Sequence, residues 1–141
     1  MRDKKLLKKV RKLLAEKPDK HKQATWMTVT ASSVREKLAR ATGEGKGGIS
    51  VSCATNACVA GHACLLSGDK AWINARTTAF HGAFDVEYVI DKDGEQHFIQ
   101  DRAQDLMGLT SQEAQHLFKQ GRHRTALIKD LDTLIAGGEI V

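Results

Sequence analysis

Residues 49–68, ISVSCATNACVAGHACLLSG, form the stretch that decides the fold. Between positions 57 and 66 nearly every side chain is small or apolar, and Gly68 closes the run. This composition predicts a thin helix over about 57–66, capped by Asn56, that packs closely against its neighbours. The helix is therefore expected in the interior, with its cysteines as packing residues.

The same stretch carries cysteine and histidine at the spacing Cys53-x4-Cys58-x3-His62-x-Cys64. On a helix, Cys58 and His62 share one face, as two zinc ligands would, and Cys53 in the preceding turn offers a third. Cys64 lies about 240° around the helix from Cys58, and a structural zinc site needs four ligands. We therefore favour packing cysteines with no metal or other cofactor, and keep zinc on Cys53, Cys58 and His62 as the alternative. A reactive thiol beside His62 or His81 and a Cys53–Cys58 disulfide are further alternatives.

Composition and charge distribution indicate the class of protein. The 141 residues suit one domain, and 41% apolar with 28% charged residues is typical of a globular rather than a disordered chain. Residues 1–46 hold 14 Lys and Arg against five Asp and Glu, a net +9, whereas residues 47–141 hold eight against 12, a net −4. This asymmetry predicts an acidic partner, with nucleic acid as the first candidate.

The N-terminal segment predicts a basic amphipathic helix over about 3–16. Its apolar residues recur at helical spacing and form one stripe: Leu6, Leu7, Val10, Leu13 and Leu14. Basic residues fill the remaining circumference and are candidate contacts for a protein partner or a nucleic acid: Lys4, Lys5, Lys8, Lys9, Arg11 and Lys12. A final helix is predicted over about 123–136, where apolar residues recur at the same spacing as in the first helix. The terminal helices are expected to pair, with residues of opposite charge facing each other: Lys8 or Arg11 and Asp130 or Asp132.

Local signals predict the other elements. Three capping signals mark helix starts: Ser33 with Glu36, Asp101 with Gln104, and Thr110 with Glu113. Residues 43–48, GEGKGG, predict a flexible loop, and residues 85–100 predict a β-hairpin. Trp26, Trp72 and the few phenylalanines are expected in the core. The whole chain, 1–141, is predicted to be an α+β protein: a mainly helical, compact single domain with a small antiparallel β-hairpin or sheet.

Residues 101–120 fit the spacing of a helix-turn-helix, with helices over about 102–107 and 111–120 and Gly108 in the turn. In that arrangement DNA would be contacted by basic residues in and after the second helix: Lys119, Arg122 and Arg124. Any helical hairpin with a glycine turn produces a similar pattern. An ordinary helix pair is therefore the favoured interpretation, and a DNA-binding motif is the alternative.

The sequence also bears on where the protein acts. The N-terminus lacks the apolar region of a signal peptide, and the most apolar stretch, 57–66, is too short to span a bilayer. Three clustered cysteines do not make the disulfide framework of a secreted mini-protein. A soluble cytoplasmic protein with reduced thiols and no membrane partner is expected.

Four features, in chain order, give the sequence a resemblance to a known group. An opening amphipathic helix ends at Lys17-Pro18, the block CATNACVAGHACLL spans 53–66, AQDLMGLTSQEAQHLF spans 103–118, and an amphipathic helix closes the chain. The chain thereby resembles small proteins of actinobacteria and of the phages that infect them, in which the block reads Cys-x4-Cys-x-Ala-Gly-(Trp or His)-Ala. These features cover about half of the chain, and the Gly- and Lys-containing stretch before Cys53 is longer here.

The resemblance implies a setting, the cytoplasm of an actinobacterium or its phage-infected state, and no particular chemistry. It also implies that five residues of the cysteine block matter to the fold: Cys53, Cys58, Ala60, Gly61 and His62. The charge asymmetry and the absence of a catalytic constellation, taken with this setting, lead us to expect a non-enzymatic accessory protein, encoded by a phage, that binds a host protein or nucleic acid. The alternatives are a helix-turn-helix-like DNA-binding protein and a small cysteine- or zinc-dependent enzyme.

Overall fold

The structure is a computed structural model that describes residues 2–23, 25–52 and 54–140. Its α-helices are α1 (Lys4–Glu16), α2 (Ala31–Gly43), α3 (Val59–Leu66), α4 (Ile99–Met107), α5 (Ser111–Leu117) and α6 (Arg124–Ile135). Its strands are β1 (Met27–Thr30), β2 (Gly48–Val51), β3 (Asn56–Ala57), β4 (Lys70–Asn74), β5 (Ala83–Asp85), β6 (Tyr88–Ile90) and β7 (Gln96–Phe98). The predicted α+β class, mainly helical with antiparallel sheet, is confirmed.

Helix α3 lies at the centre of the fold. Its residues from Val59 to Cys64 are all buried, so no side of this stretch faces water. The small side chains let neighbouring backbone approach closely. The N–H of Cys58 donates to the carbonyl of Trp26 at 3.1 Å, and a Cβ at Gly61 would collide with that same carbonyl. The helix predicted from the cysteine block is therefore a core element.

The other elements are built around α3. Helix α1 packs on α3 and α4, and α6 packs on α1. A four-stranded antiparallel sheet in the order β2-β4-β6-β7 packs on α3 through β4 and on α4 through β6 and β7. A second antiparallel sheet, in the order β3-β1-β5, lies beside α2 and leads through β3 into α3. Buried residues from the helices and both sheets form one hydrophobic cluster.

The terminal helices pair, as their matching stripes predict. The buried residues between them come from both helices: Leu7, Val10, Leu14, Leu127, Leu131 and Leu134. Arg11 Nε donates to Asp132 Oδ1 at 2.7 Å, which is one of the expected pairs. Asp130, the other expected acidic partner, instead binds Arg122. The apolar contact holds the helices together, because an exposed ion pair contributes little stability.

A buried ion pair joins α3 to α4. The side chain of Asp69, three residues beyond α3, is only 3% exposed. It accepts two hydrogen bonds from Arg102 of α4, from Nε at 2.8 Å and from Nη2 at 3.1 Å. The bidentate contact satisfies both oxygens of the buried carboxylate, which would otherwise be costly to remove from water.

The helix predicted over 57–66 begins at Val59, and Asn56 is not its cap. Asn56 lies in β3, which pairs with β1, and its side-chain oxygen accepts a hydrogen bond from the Thr28 hydroxyl. The N-cap residue is Cys58, which makes no side-chain capping bond. The predicted cap was wrong because pairing with a strand distant in sequence overrides a local capping preference.

One of the three predicted capping boxes is present. Thr110 Oγ1 accepts from the Glu113 N–H at 3.1 Å, and the Glu113 carboxylate accepts from the Thr110 N–H at 3.1 Å. The signals at Ser33 and Asp101 were wrong, because the N-cap residues of α2 and α4 are Thr30 and Phe98, which lie three residues earlier and are each the last residue of a strand. The helix predicted to start at about 102 is longer for this reason.

The boundaries of the other predicted elements differ from the observed ones by a few residues. The helix predicted over 111–120 ends at Leu117, whereas those over 3–16 and 123–136 correspond to α1 and α6. The loop predicted over 43–48 is shorter, because its first glycine ends α2 and its last begins β2. The hairpin predicted over 85–100 consists of β6 and β7 alone, because β5 pairs with β1 in the other sheet.

The replacement Gly61→Ala tests the close packing of α3. Its Cβ would meet the Trp26 carbonyl and lie 2.8 Å from the Cβ of Ala57. We expect the free energy of unfolding to fall by about 1–3 kcal/mol, because overpacking at rigid backbone is not relieved cheaply. Urea denaturation measures the loss. Gly47→Ala, which meets no atom within 4 Å, is the control, and equal stability of the two variants would contradict this packing.

Candidate functional site

The outward side of α1 carries a dense group of lysines. Asp3 caps the helix by accepting a hydrogen bond from the Leu6 N–H at 3.0 Å, and the apolar stripe faces α3, α4 and α6. At 100° per residue, five exposed side chains fall within an arc of about 140° and along about 12 Å of the helix axis. We call these residues the lysine face: Lys4, Lys5, Lys8, Lys9 and Lys12.

The positive charge of the lysine face is not neutralised within the described part of the chain. Lys12 lies 4.0 Å from Glu16 in an exposed pair, and the other four lysines make no ion pair with a described residue. Arg11, predicted with them as a binding residue, is directed to Asp132 on α6. The lysine face is therefore available to an acidic partner, while Arg11 takes part in the pairing of the terminal helices.

The basic residues predicted near the helix-turn-helix segment are mostly engaged inside the molecule. Arg122 binds the carboxylate of Asp130 and donates to the carbonyl of His116 at 3.2 Å. Arg124 donates to the carbonyl of Leu14 at 3.2 Å, at the end of α1. Lys119 is exposed. The structure thus does not bring Arg122 and Arg124 together with Lys119 as a free basic surface.

The second helix of that segment also carries a buried acid. Gly108 ends α4 with φ 67°, in the left-handed region that the predicted turn requires. Glu113 of α5 is 5% exposed and binds the guanidinium of Arg2. Helices α4 and α5 therefore form a helix pair with a glycine turn, which an ion pair joins to the N-terminus.

The cysteines of α3 lie in surroundings that keep thiols protonated. Cys58 is 1% exposed and its Sγ lies 3.4 Å from the carbonyl of Trp26, and burial raises its pKa to about 11. Cys64 is fully buried, its Sγ lies 3.7 Å from the carbonyl of Ile99, and burial likewise raises its pKa. Because the thiolate is the nucleophile, burial keeps both thiols in the less reactive protonated form at neutral pH.

His62, the third residue proposed for zinc, is held by backbone. Its Nε2 donates to the carbonyl of Lys20 at 2.8 Å, and burial lowers its pKa below the usual value of 6.5. Cys53, the third ligand proposed for zinc, lies outside the described residues. The alternative of a Cys53–Cys58 disulfide lies outside them for the same reason. His81, the alternative base, is exposed in the turn between β4 and β5.

Metal-ligating side chains lie close together at another place in the described chain, the turn between β6 and β7. The group consists of Asp91, Glu95 and His97. Asp91 Oδ1 accepts from the N–H groups of Asp93 and Glu95, both at 2.9 Å, and Oδ2 lies 2.8 Å from His97 Nε2. The bond to His97 is the main reason that the pKa of Asp91 is lowered to about 2. Both carboxylate oxygens are thus used to close the turn.

The four-stranded sheet reveals residues that sequence reasoning placed wrongly. Trp72 is half-buried on its outer face rather than in the core, and Phe98 is 53% exposed there. Phe80, in the turn after β4, is 70% exposed, whereas Phe84 and Phe118 are buried as expected. The alternation of KAWIN in β4 was the available signal, because Ala and Ile on one face leave Lys, Trp and Asn on the other.

Comparison with known proteins assigns no role to the lysine face or to the cysteine block. No protein-family model, no curated protein and no solved structure matches the chain. No helix in the described residues is long and apolar enough to cross a bilayer. The functional inference therefore depends on the surfaces described above.

His62 should make the stability of the protein depend on pH. Its pKa is lower in the folded chain than in the unfolded chain, so the unfolded state takes up the proton first as the pH falls. The contribution of neutral His62 to the free energy of unfolding is therefore complete above pH 6.5. It is lost below that pH, by at most about 1.4 kcal/mol per pH unit for one proton. We expect His62→Gln to flatten the pH dependence of the free energy of unfolding between pH 7.5 and 5.

Urea denaturation at several pH values measures this dependence. His123→Gln, which replaces an exposed histidine, is the control and should leave the slope unchanged. If the slopes of the wild type and His62→Gln were the same, buried neutral His62 would not be the cause.

Proposed function

We propose that the protein is a non-enzymatic accessory protein that binds an acidic macromolecule of its host cell through the lysine face. Nucleic acid is the partner class we favour, and an acidic host protein is the alternative. The resemblance to actinobacterial and phage proteins supports a phage-encoded protein that acts in the bacterial cytoplasm. The observation that carries the proposal is the row of exposed lysines, Lys4 to Lys12, without described acidic partners apart from Glu16.

The placement of the charge supports this proposal more than its amount does. Residues 1–46 have a net charge of +9 and the remainder −4, and α1 concentrates five lysines on one arc of a single helix. An acidic partner is attracted to such a face from a distance and orients on it before contact. The apolar stripe of α1 is occupied by α6, α3 and α4, which leaves the charged side as its outer surface.

The lysine face can contact phosphate groups. Lysine ammonium groups act as point charges, and contacts between such charges and phosphates position a nucleic acid without reading its bases. The lysine face contains no aromatic side chain that could stack on a base. A duplex contacted along its backbone fits this surface, with affinity that depends on salt and little on sequence.

The two alternative functions have weaker support. A helix-turn-helix protein would need free basic side chains after α5, and both Arg122 and Arg124 have internal partners. A cysteine enzyme would need a thiolate, and burial raises the pKa of Cys58 and Cys64. We therefore propose neither a sequence-specific DNA-binding motif nor an enzyme.

Salt dependence of duplex binding tests the proposal. If all five lysines contact phosphates, raising the salt from 50 to 200 mM should weaken binding by up to about 500-fold. The double variant Lys5→Gln, Lys9→Gln should bind more weakly at 50 mM, and its loss over the same interval should shrink to about 40-fold. Fluorescence anisotropy with a labelled 20-base-pair duplex measures both quantities.

The matched control carries Lys92→Gln and Lys129→Gln, which remove two exposed lysines from the β6–β7 turn and from α6. Its salt dependence should equal that of the wild type. Binding that does not change with salt, or an equal effect of the two double variants, would contradict a role for the lysine face. Tighter binding to poly-glutamate than to the duplex would favour an acidic protein partner instead.

A further inference from the structure

Aromatic side chains line up across the outer face of the four-stranded sheet. The register places Ser50 opposite Trp72, Trp72 opposite Tyr88, and Tyr88 opposite Phe98. Residues directly opposite each other on neighbouring strands lie on the same face of a sheet. Three adjacent strands, β4, β6 and β7, therefore each contribute one aromatic ring to a single row. We call Trp72, Tyr88 and Phe98 the aromatic row.

The aromatic row faces away from the core. The residues that alternate with it along the strands, Ile73 and Val89, are 2% and 0% exposed and belong to the hydrophobic cluster. The rings of Tyr88 and Phe98 have centroids 4.7 Å apart and planes inclined by 30°. Phe98 is 53% exposed, although burial would be the usual fate of a phenylalanine. At this separation and inclination the two rings are stacked on each other, so Tyr88 covers one face of Phe98, and the face directed away from Tyr88 is the one open to a partner.

Gly48 of β2 gives the tryptophan its place in the row. A Cβ at this position would lie 2.8 Å from Cζ2 of the Trp72 indole and would also meet the carbonyl of Ile73. The indole thus occupies space that any other residue at this strand position would need. The sequence of β2 is therefore fitted to an aromatic ring lying over it.

Basic side chains border the same face at its β2 edge. Lys37 of α2 donates from Nζ to the carbonyl of Ser50 at 2.9 Å, next to the row. A cavity of about 530 Å³ opens where the loop after α2 meets the end of β4, lined in part by Lys46, Asn74 and Arg76. Asn74 shares a face with Trp72, since it lies two residues along β4. The basic edge and the aromatic row thus adjoin on one surface.

The acidic groups nearby are of two kinds. Glu44 lies at that edge and forms an ion pair with Lys46 at 2.9 Å, whereas Lys37 and Arg76 make no ion pair with a described residue. Asp91, Asp93 and Glu95 lie in the β6–β7 turn. This turn follows Ile90, which pairs with Lys70 at the start of β4, so it lies at the opposite end of β4 from Asn74. A polyanion would be repelled from the turn and attracted to the opposite, basic end of the sheet.

We propose that the outer face of the β2-β4-β6-β7 sheet binds single-stranded nucleic acid. Bases stack on the Trp72 indole and on the face of Phe98 directed away from Tyr88, and the phosphates follow the basic edge at Lys37 and Arg76. Aromatic side chains on a sheet with a basic border bind unpaired bases, because every base has a flat face that can stack. Paired bases are inaccessible within a duplex, so this surface discriminates against duplexes. The site is separate from the lysine face and does not depend on it.

The basic border favours a nucleic acid over the other occupants of an aromatic surface. An apolar protein partner would have to bury the charged groups around the row, and Lys46, Lys70 and Arg76 are all exposed. A single strand, in contrast, supplies a phosphate for each base that stacks.

Binding of labelled 12-mers to the full-length protein, followed by fluorescence anisotropy, tests the proposal. The probes are oligo(dT), oligo(U) and an abasic 12-mer with the same number of phosphates. We expect at least one of the base-containing strands to bind at least about ten-fold more tightly than the abasic strand, since stacking on an aromatic ring accounts for about that much per base. Equal affinity of all three probes would overturn the proposal.

Two substitutions at Phe98 separate stacking from folding. Phe98→Ala removes the ring, and Phe98→Leu keeps an apolar side chain against Tyr88 but has no π-face. Both should lower the affinity for the better-bound single strand by about ten-fold and leave duplex binding unchanged. Thermal melting of each variant reports on folding, and a folded Phe98→Leu variant that binds as the wild type does would overturn the proposal.

The control variant is Phe80→Ala, which removes a phenylalanine that is more exposed, at 70%, but lies outside the sheet. It should bind the single strand as tightly as the wild type. An equal loss for Phe80→Ala and Phe98→Ala would overturn the assignment of the site to this face. If the single-strand experiment contradicted this proposal, duplex binding by the lysine face would be unaffected, because the effect of replacing Lys5 and Lys9 is measured only with the duplex.

Discussion

The burial of α3 on every side is the constraint on which the rest of the structure depends. From Val59 to Cys64 no side chain reaches water, so the chain must supply a neighbour in each direction. The tightest of these contacts is with the carbonyl of Trp26, which accepts from the N–H of Cys58 and leaves no room for a side chain at Gly61. Helices α1 and α4, strand β4 and the β3 segment provide the remaining cover. Small residues are required here because backbones meet at van der Waals distance.

The same constraint decides where function can lie. Cysteine and histidine in close sequence suggest a metal or a nucleophile, yet the packing that selects small side chains also removes water from Cys58 and Cys64. Desolvation disfavours the thiolate and the imidazolium alike, which raises the pKa of Cys58 and lowers that of His62. The two surfaces that we propose for binding are built around this core: the lysine face of α1, and the outer sheet face with its aromatic row. Both are consistent with one class of acidic partner.

Local periodicity was enough to predict the terminal helices, their pairing through Arg11 and Asp132, and the capping box at Thr110. These features depend on residues within a few positions of each other or on complementary stripes. Strand β3 could not be predicted, because its two residues are defined only by pairing with β1, some 28 positions away. Trp72 was misplaced for a related reason: a large aromatic residue is usually buried, and its outward orientation follows from the register of β4 between β2 and β6. The lysine face was predictable as a pattern, whereas the internal partners of Arg122 and Arg124 were not.

Native-state amide hydrogen exchange tests the central claim, that α3 is the element around which the domain is built. The account predicts that the amides of Gly61 to Cys64 exchange only through global unfolding and are among the slowest in the molecule, slower than those in the exposed half of α1. Exchange of these amides at the rate of a locally opening helix, faster than that of Leu131 in the middle of α6, would contradict it.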